Sequence, residues 1–225
     1  PVARTGTGSA GFITGVGFAP DFLWNKDRLS QSVADVLIYD KLRSPSNRLR
    51  SNSSGGEGVG NSAPLLFTND GLELTSGTRA NGSGRTQIDY YLRRAPGFFD
   101  TVCYTGDGAA TRQITHNLEA TPELIIVKSR SNTSQWLVWS TSFGQGTVGN
   151  YMTLNGNTAR GNTNPPIFTT SAPTASYFNV ATDSGFNQQY VTNYNTYTYI
   201  AYLFASLDGI SKVGTYSGSS GYNVN

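Results

Sequence analysis

Few side chains in this chain are of the types that do chemistry, and their spacing narrows the reactions open to them. His116 is the sole histidine and Cys103 the sole cysteine. One imidazole cannot make a two-histidine metal site, and a Ser-His-Asp relay needs a serine and an orienting acid delivered to it by the fold. No G-x-S-x-G pattern stands in a strand–turn–helix setting to raise a serine nucleophile. His116 is therefore expected to be a turn residue ahead of a strand. A lone cysteine excludes an intrachain disulfide framework and a cysteine-based zinc site. Within Thr101-Val102-Cys103-Tyr104 it reads as a small buried strand residue. The 14 acids, among them Asp40, Glu57, Asp70, Glu73 and Asp89, read as mostly loop residues. Glycoside hydrolysis would need two carboxylates roughly 5–10 Å apart, and no spacing singles out a pair. Asp107 and Asp183 sit in glycine-bearing turns without the oxygen-ligand series of a calcium loop. No catalytic residue, cofactor or metal site is expected.

The aromatic residues offer a different chemistry. Tyr190, Tyr194, Tyr197 and Tyr199 run through an Asn/Gln/Thr-rich stretch from Phe186 to Thr198. Aromatic faces beside amides and hydroxyls suit sugar rings, so Tyr190, Tyr194 and Tyr197 are candidate glycan contacts or subunit contacts. The competing reading puts Tyr197 and Tyr199 on a strand face and the Asn-rich stretch in an inter-subunit or solvent loop.

The elements that must position these residues are strands. Gly makes up 26 of 225 residues and charged residues only 13%, so turns are abundant and Ser, Thr, Asn and Gln carry the polar surface. Good helix formers are nowhere concentrated, which points to an all-β chain. A net charge of +2 is too balanced for a phosphate-neutralising nucleic-acid binder. Arg43, Arg48, Arg50, Arg93 and Arg94 read as scattered, solvated loop residues. No run of 18 apolar residues exists to span a membrane as a helix. The chain opens Pro1-Val2-Ala3 without Met, so a processed or excised piece of something longer is expected.

The strand Pro122-Glu123-Leu124-Ile125-Ile126-Val127-Lys128-Ser129-Arg130 is apolar enough to be buried on both faces. Pro20-Asp21-Phe22-Leu23-Trp24-Asn25-Lys26-Asp27-Arg28 matches it at a constant offset of 102 (122 − 20, 128 − 26 and 130 − 28). Asn25 stands where Val127 does, so one face of the first copy is expected to be less buried. Tyr104-Thr105-Gly106-Asp107-Gly108 answers Arg4-Thr5-Gly6-Thr7-Gly8, Ile114 answers Ile13, and Asn155 answers Asn52. Gly15 takes the place of His116. Gly209 to Gly218 echoes Gly97 to Gly106. Leu65 to Leu74 reads as a hairpin about Asn69-Asp70-Gly71. Trp136 and Trp139, three apart, fall on opposite faces of a strand. Tyr197, Tyr199, Ala201 and Leu203 share one strand face, with Thr198, Ile200, Tyr202 and Phe204 on the other.

Phe98-Phe99-Asp100, Tyr104-Thr105-Gly106-Asp107-Gly108, Ile114-Thr115-His116-Asn117-Leu118, Pro122 to Lys128 and Tyr199 to Phe204 together resemble a repeat domain of unassigned function found in virion proteins of tailed bacteriophages, often marine ones. The resemblance covers residues 97 to 218 well and 4 to 95 more loosely. It brings no catalytic residues with it. It implies a β-rich structural module in an extracellular virus particle, as part of an oligomer. The expectation is therefore an all-β chain of duplicated antiparallel β-sandwich or jelly-roll-like units with almost no helix. Its repeats would span residues 1–96, 97–208 and, as the start of a third unit or a terminal strand, 209–225. The expected role is a non-enzymatic tail-fibre, spike or appendage segment. Its partners would be other copies of itself and other virion proteins, with no nucleic acid and no membrane insertion. A lectin-like module recognising host surface polysaccharide is the alternative, and a capsid decoration protein the third reading.

Overall fold

The computed structural model describes residues 1–28, 35–59, 65–77, 79–143, 150–157, 161–162, 168, 171–182 and 191–216. The first half contributes β1 (Val2–Thr5), β2 (Gly11–Ile13), β3 (Phe22–Asp27), β4 (Val36–Asp40), β5 (Asn47–Arg50), β6 (Gly58–Val59), β7 (Leu65–Thr68), β8 (Gly71–Leu74) and β9 (Thr86–Leu92). The second contributes β10 (Phe99–Thr105), β11 (Arg112–Thr115), β12 (Leu124–Ser129), β13 (Leu137–Ser140), β14 (Asn150–Thr153), β15 (Gly161–Asn162), β16 (Tyr177–Val180) and β17 (Thr198–Phe204). Among the described residues the only helical turns are two 3-10 turns, Arg79–Asn81 and Thr141–Phe143. Among these residues no helix is long and apolar enough to cross a membrane.

All strand pairs are antiparallel, and they form four sheets in two sandwich-like units. In the first unit a six-stranded sheet, β1-β9-β3-β4-β5-β6, is faced by the small sheet β2-β8-β7. In the second, β10-β17-β12-β13-β14-β15 is faced by β11-β16. Each pairing buries its own core. Leu23, Tyr39 and Tyr91 meet Leu65, Leu72 and Leu74 in the first; Ile125, Val127 and Leu203 meet Ile114, Phe178 and Val180 in the second. A third core joins the two large sheets face to face, where Phe22, Ile38 and Leu49 pack on Phe99, Ile126, Trp136, Ile200 and Tyr202. Strand alternation explains why one strand serves two cores. On β17, Tyr199, Ala201 and Leu203 point to one core, and Ile200, Tyr202 and Phe204 to the other. Trp139 and Trp136 likewise divide between the two.

The two units share one register. Phe22 pairs with Asp40 and Leu92, and Leu124 pairs with Ser140 and Phe204. Equivalent strands are thus offset by 102, 100 and 112 (124 − 22, 140 − 40, 204 − 92). Leu23 and Ile125 occupy equivalent places. Turn chemistry repeats too. Asn52 Oδ1 accepts the Val36 amide at 3.1 Å, and Asn155 Oδ1 accepts the Trp136 amide at 2.9 Å. The Ala95–Phe99 bridge after β9 recurs after β17 as Leu207–Ser211. The Asn69-Asp70 loop closes the β7–β8 hairpin, and the Asp70 carboxylate accepts the Gly15 and Gly17 amides at 2.8 and 2.7 Å.

Four expectations are corrected by the fold. Asn25 is 1% exposed, more hidden than most strand residues. It donates to Gln87 Oε1 at 3.0 Å and Asp89 Oδ1 at 2.6 Å. Asp89 also receives Arg4 at 2.6 Å and Tyr91 at 2.9 Å. A hydrogen-bonded polar cluster therefore occupies the space that Tyr104, Val127, Tyr199, Ala201 and Leu203 fill with apolar contacts in the second unit. Asp40, Glu73 and Asp89 lie in strands, and Asp40 and Asp89 are buried. Arg43 is no solvated loop arginine; its side chain is fully enclosed beside Asp40. Cys103 does lie in a strand, but only half-buried, and burial raises its thiol pKa.

Candidate functional site

The segment that leads into β17 makes a braced corner. The Asn193 side chain accepts the Asp107 amide at 3.2 Å and donates to Asp107 Oδ1 at 2.8 Å and the Ala109 carbonyl at 2.9 Å. The Gly108, Gly106 and Thr196 amides bond across the corner to Asn193 O, Tyr197 O and Gly106 O. A Cβ on Gly106 would lie 2.1 Å from Tyr194 O, so only glycine fits there. Hydrogen bonds donated by the Ala109 backbone amide and the Asn193 side chain hold the Asp107 carboxyl below its ordinary pKa, and Arg112 lies 3.4 Å away.

This corner presents two of the predicted tyrosines together. The Tyr197 amide closes a turn onto Tyr194 O at 3.2 Å. The Tyr194 and Tyr197 rings meet with centroids 4.5 Å apart, tilted by 42°. Both are half-buried, and Asn195 and Thr196 beside them are exposed. Tyr199 is not part of the pair. It is fully buried, stacked on Tyr104 at 5.1 Å, and its hydroxyl accepts the Tyr194 amide at 3.0 Å. Tyr190, the third candidate, lies outside the described residues, as does Asp183. The first unit builds the same corner without aromatics. Asn81 O and Arg85 O accept the Gly8 and Gly6 amides, and the Asn81 side chain bonds Thr7 and Ser9. Gly82 and Arg85 stand where Tyr194 and Tyr197 do (194 − 82 and 197 − 85 both give 112). The corner does not require an aromatic pair, so its presence in the second unit adds a surface of apolar ring face beside amides and hydroxyls.

The other concentration of unusual side chains is the seam between the two large sheets. Arg43 lies 2.6 Å from Asp40 and 3.1 Å from Glu57, and Glu57 reaches Arg130 at 3.0 Å. Tyr202 donates to Asp40 Oδ2 at 3.0 Å. Burial, reinforced by the Asp40 charge, raises the Tyr202 pKa well above its ordinary value. Lys128 is fully buried, and its Nζ donates to Ser54 O, Ser134 O and Ser134 Oγ at 2.9, 2.8 and 3.2 Å. Burial lowers its pKa to about 7. Trp136 Nε1 donates to the carbonyls of Arg50 and Ser53 at 2.9 and 3.1 Å. The loop from Ser51 to Glu57 is thus strapped onto the second unit, and the Glu57 amide bonds Arg130 O at 2.6 Å. Sequence reasoning missed this seam. The signal it could have used is the Lys-x-Arg that ends the apolar run, beside a Gly55-Gly56 loop able to approach closely: a Cβ on Gly56 would meet Arg130 O at 2.9 Å.

His116 does structural work. Its Nε2 lies 3.2 Å from Thr174 O and its Nδ1 accepts the Leu118 amide at 3.2 Å, so both ring nitrogens are engaged. Burial lowers its pKa. Among the described residues no group of three or more His, Cys, Asp or Glu is placed to hold a metal ion.

No curated protein and no solved structure matches the chain. One family model does, and it spans both sandwich units, from residue 1 to residue 224. The chain belongs to the family described as "Domain of unknown function (DUF7483)".

Proposed function

We propose that this chain is a non-enzymatic structural component of a phage virion, a tail-fibre, spike or other appendage segment that assembles with other copies of itself. The observation that carries the reading is the seam. Side chains that elsewhere act as acids, bases and nucleophiles are here spent on joining two β-sandwich units. Asp40, Arg43, Glu57, Lys128 and Tyr202 all bond within or across it. Such a construction resists shearing of one sheet past the other, because sliding would leave charges buried without partners. The virion setting rests on the likeness of the strings at 98–108, 114–118 and 122–128 to the phage repeat. Immunogold electron microscopy of purified particles, with antibody against this chain, tests it. Label on an appendage is expected; label on the head shell would favour a capsid decoration protein, and unlabelled particles would sink the reading. Release of reducing ends from host polysaccharide by the purified chain would overturn the non-enzymatic part.

The Tyr194–Tyr197 pair supports a second reading, a lectin-like module for host surface glycan. Two tilted rings flanked by Asn195 and Thr196 offer a stacking face and hydrogen-bonding groups to a sugar. A glycan array tests it. Binding that disappears in Tyr194→Ala establishes this reading, and an array blank for the wild type removes it.

A further inference from the structure

Packing between the two large sheets is lopsided. The first unit contributes Phe22, Ile38 and Leu49, which are 3%, 2% and 0% exposed. Their register equivalents in the second unit are Leu124, Val138 and Met152 (124 − 22 = 102, 138 − 38 = 100, 152 − 49 = 103). These are not sealed: Leu124 and Val138 are half-buried and Met152 is 41% exposed. With Phe204 they line an apolar groove of about 580 Å³, bordered by Ser211 to Tyr216. One cause is visible in the sequence. Phe99, whose ring sits 5.5 Å from Phe22, is replaced at the equivalent turn by Ser211, too small to fill the space.

The covering surface shows the converse. The second unit covers Phe22 with Ile200 and Tyr202, both buried. Their equivalents in the first unit, Ile88 and Tyr90 (both offset by 112), take no part in that core among the described residues; Ile88 is half-buried and Tyr90 is 45% exposed. Each unit therefore carries one receiving face and one covering face. Inside the chain the first unit's receiving face meets the second unit's covering face. Left over are a receiving groove on the second unit and a covering face on the first.

We propose that a second copy of this chain docks its Ile88–Tyr90 face into the groove at Leu124, Val138, Met152 and Phe204, repeating between chains the contact made within one. Such an interface is head-to-tail, so it propagates into an open filament or a ring rather than stopping at a two-fold dimer. The groove continues the buried core between the sheets, and the matched faces come from one repeated strand pattern. This deepens the self-assembly reading by naming its surface and its polarity.

Sedimentation velocity on the wild type, Tyr90→Lys, Met152→Lys and a mixture of the two variants tests it. Both substitutions are at exposed positions, and circular dichroism checks that each variant folds. The wild type is expected to form species larger than dimers as concentration rises, and each variant to lose everything above monomer. The mixture pairs one intact groove with one intact covering face, so it should restore association but stop at twice the mass of one chain. Oligomers that persist in both variants would overturn this groove and leave self-assembly standing. A mixture that stays monomeric would overturn the head-to-tail polarity. A monomeric wild type overturns both this docking and the assembly reading; if Met152→Lys then also lowers the melting temperature, the groove is filled from within the chain.

Discussion

Tyr202, on the interior strand β17 of the second large sheet, donates its hydroxyl hydrogen to Asp40 Oδ2 of the first at 3.0 Å, the oxygen that also lies 2.6 Å from Arg43. One carboxylate thus ties a strand of each large sheet to a buried guanidinium. Removing the phenol and removing the cation have different consequences. Tyr202→Phe loses one hydrogen bond and is expected to lower stability by ~1 kcal/mol. Arg43→Met leaves Asp40 buried without its cation and is expected to cost ~3–5 kcal/mol. Urea unfolding of the two variants beside the wild type checks the ranking; equal losses would contradict it.

Lys128 makes the seam sensitive to pH. Its pKa falls from 10.5 to about 7 on burial, so between those values the unfolded chain binds more protons than the folded one. Stability therefore rises with pH across that window, and the unfavourable term is fully present below pH 7. Lys128→Met removes the titration. The stability of the wild type relative to this variant is expected to increase from pH 7 upward, measured by chemical unfolding at several pH values; a flat difference would refute it.

The polar cluster of the first unit and the apolar packing of the second are not interchangeable. Asn25→Val strips Asp89 and Gln87 of a donor and is expected to cost ~1–3 kcal/mol. Val127→Asn places an amide among Tyr199, Ala201 and Leu203, with a loss of roughly 1–3 kcal/mol. Thermal melts of both variants check this. A stabilised Asn25→Val would mean that the cluster is a net burden on the fold.

Thr196 sits at φ 68°, where its counterpart Gly84 sits at φ 70°. A β-branched residue is strained there. Thr196→Asn is expected to gain roughly 1 kcal/mol and Gly84→Thr to lose about 1–2 kcal/mol. Opposite signs in melting temperature are the expected readout, and a destabilised Thr196→Asn would show that the threonine methyl contributes packing that outweighs the strain.

Much of the architecture was legible from residue order. The 102-residue offset between Pro20 and Pro122, the Asn69-Asp70-Gly71 hairpin and the division of β17 into two faces all follow from local rules. Alternation of side chains and turn stereochemistry act over a few residues, so the chain states them directly. Composition singles out Tyr194 and Tyr197 as candidate contacts, but their pairing depends on the left-handed turn at Thr196 between them.

Residue order alone establishes a duplicated antiparallel β chain. Which faces of its sheets meet is set by long-range packing. Arg43 is 85 residues from Lys128, and nothing near either one in the chain names the groups it is buried against. Their burial depends on one large sheet lying on the other, with the loop from Ser51 to Glu57 strapped across. That contact joins groups distant along the chain, and its energy comes from desolvation and paired charge, which no run of neighbouring residues encodes. The same non-local packing left Met152 and Tyr90 exposed while it buried Leu49 and Tyr202. Equivalent strands in a repeated sequence acquired different surroundings because two stacked sheets can cover only the faces they share.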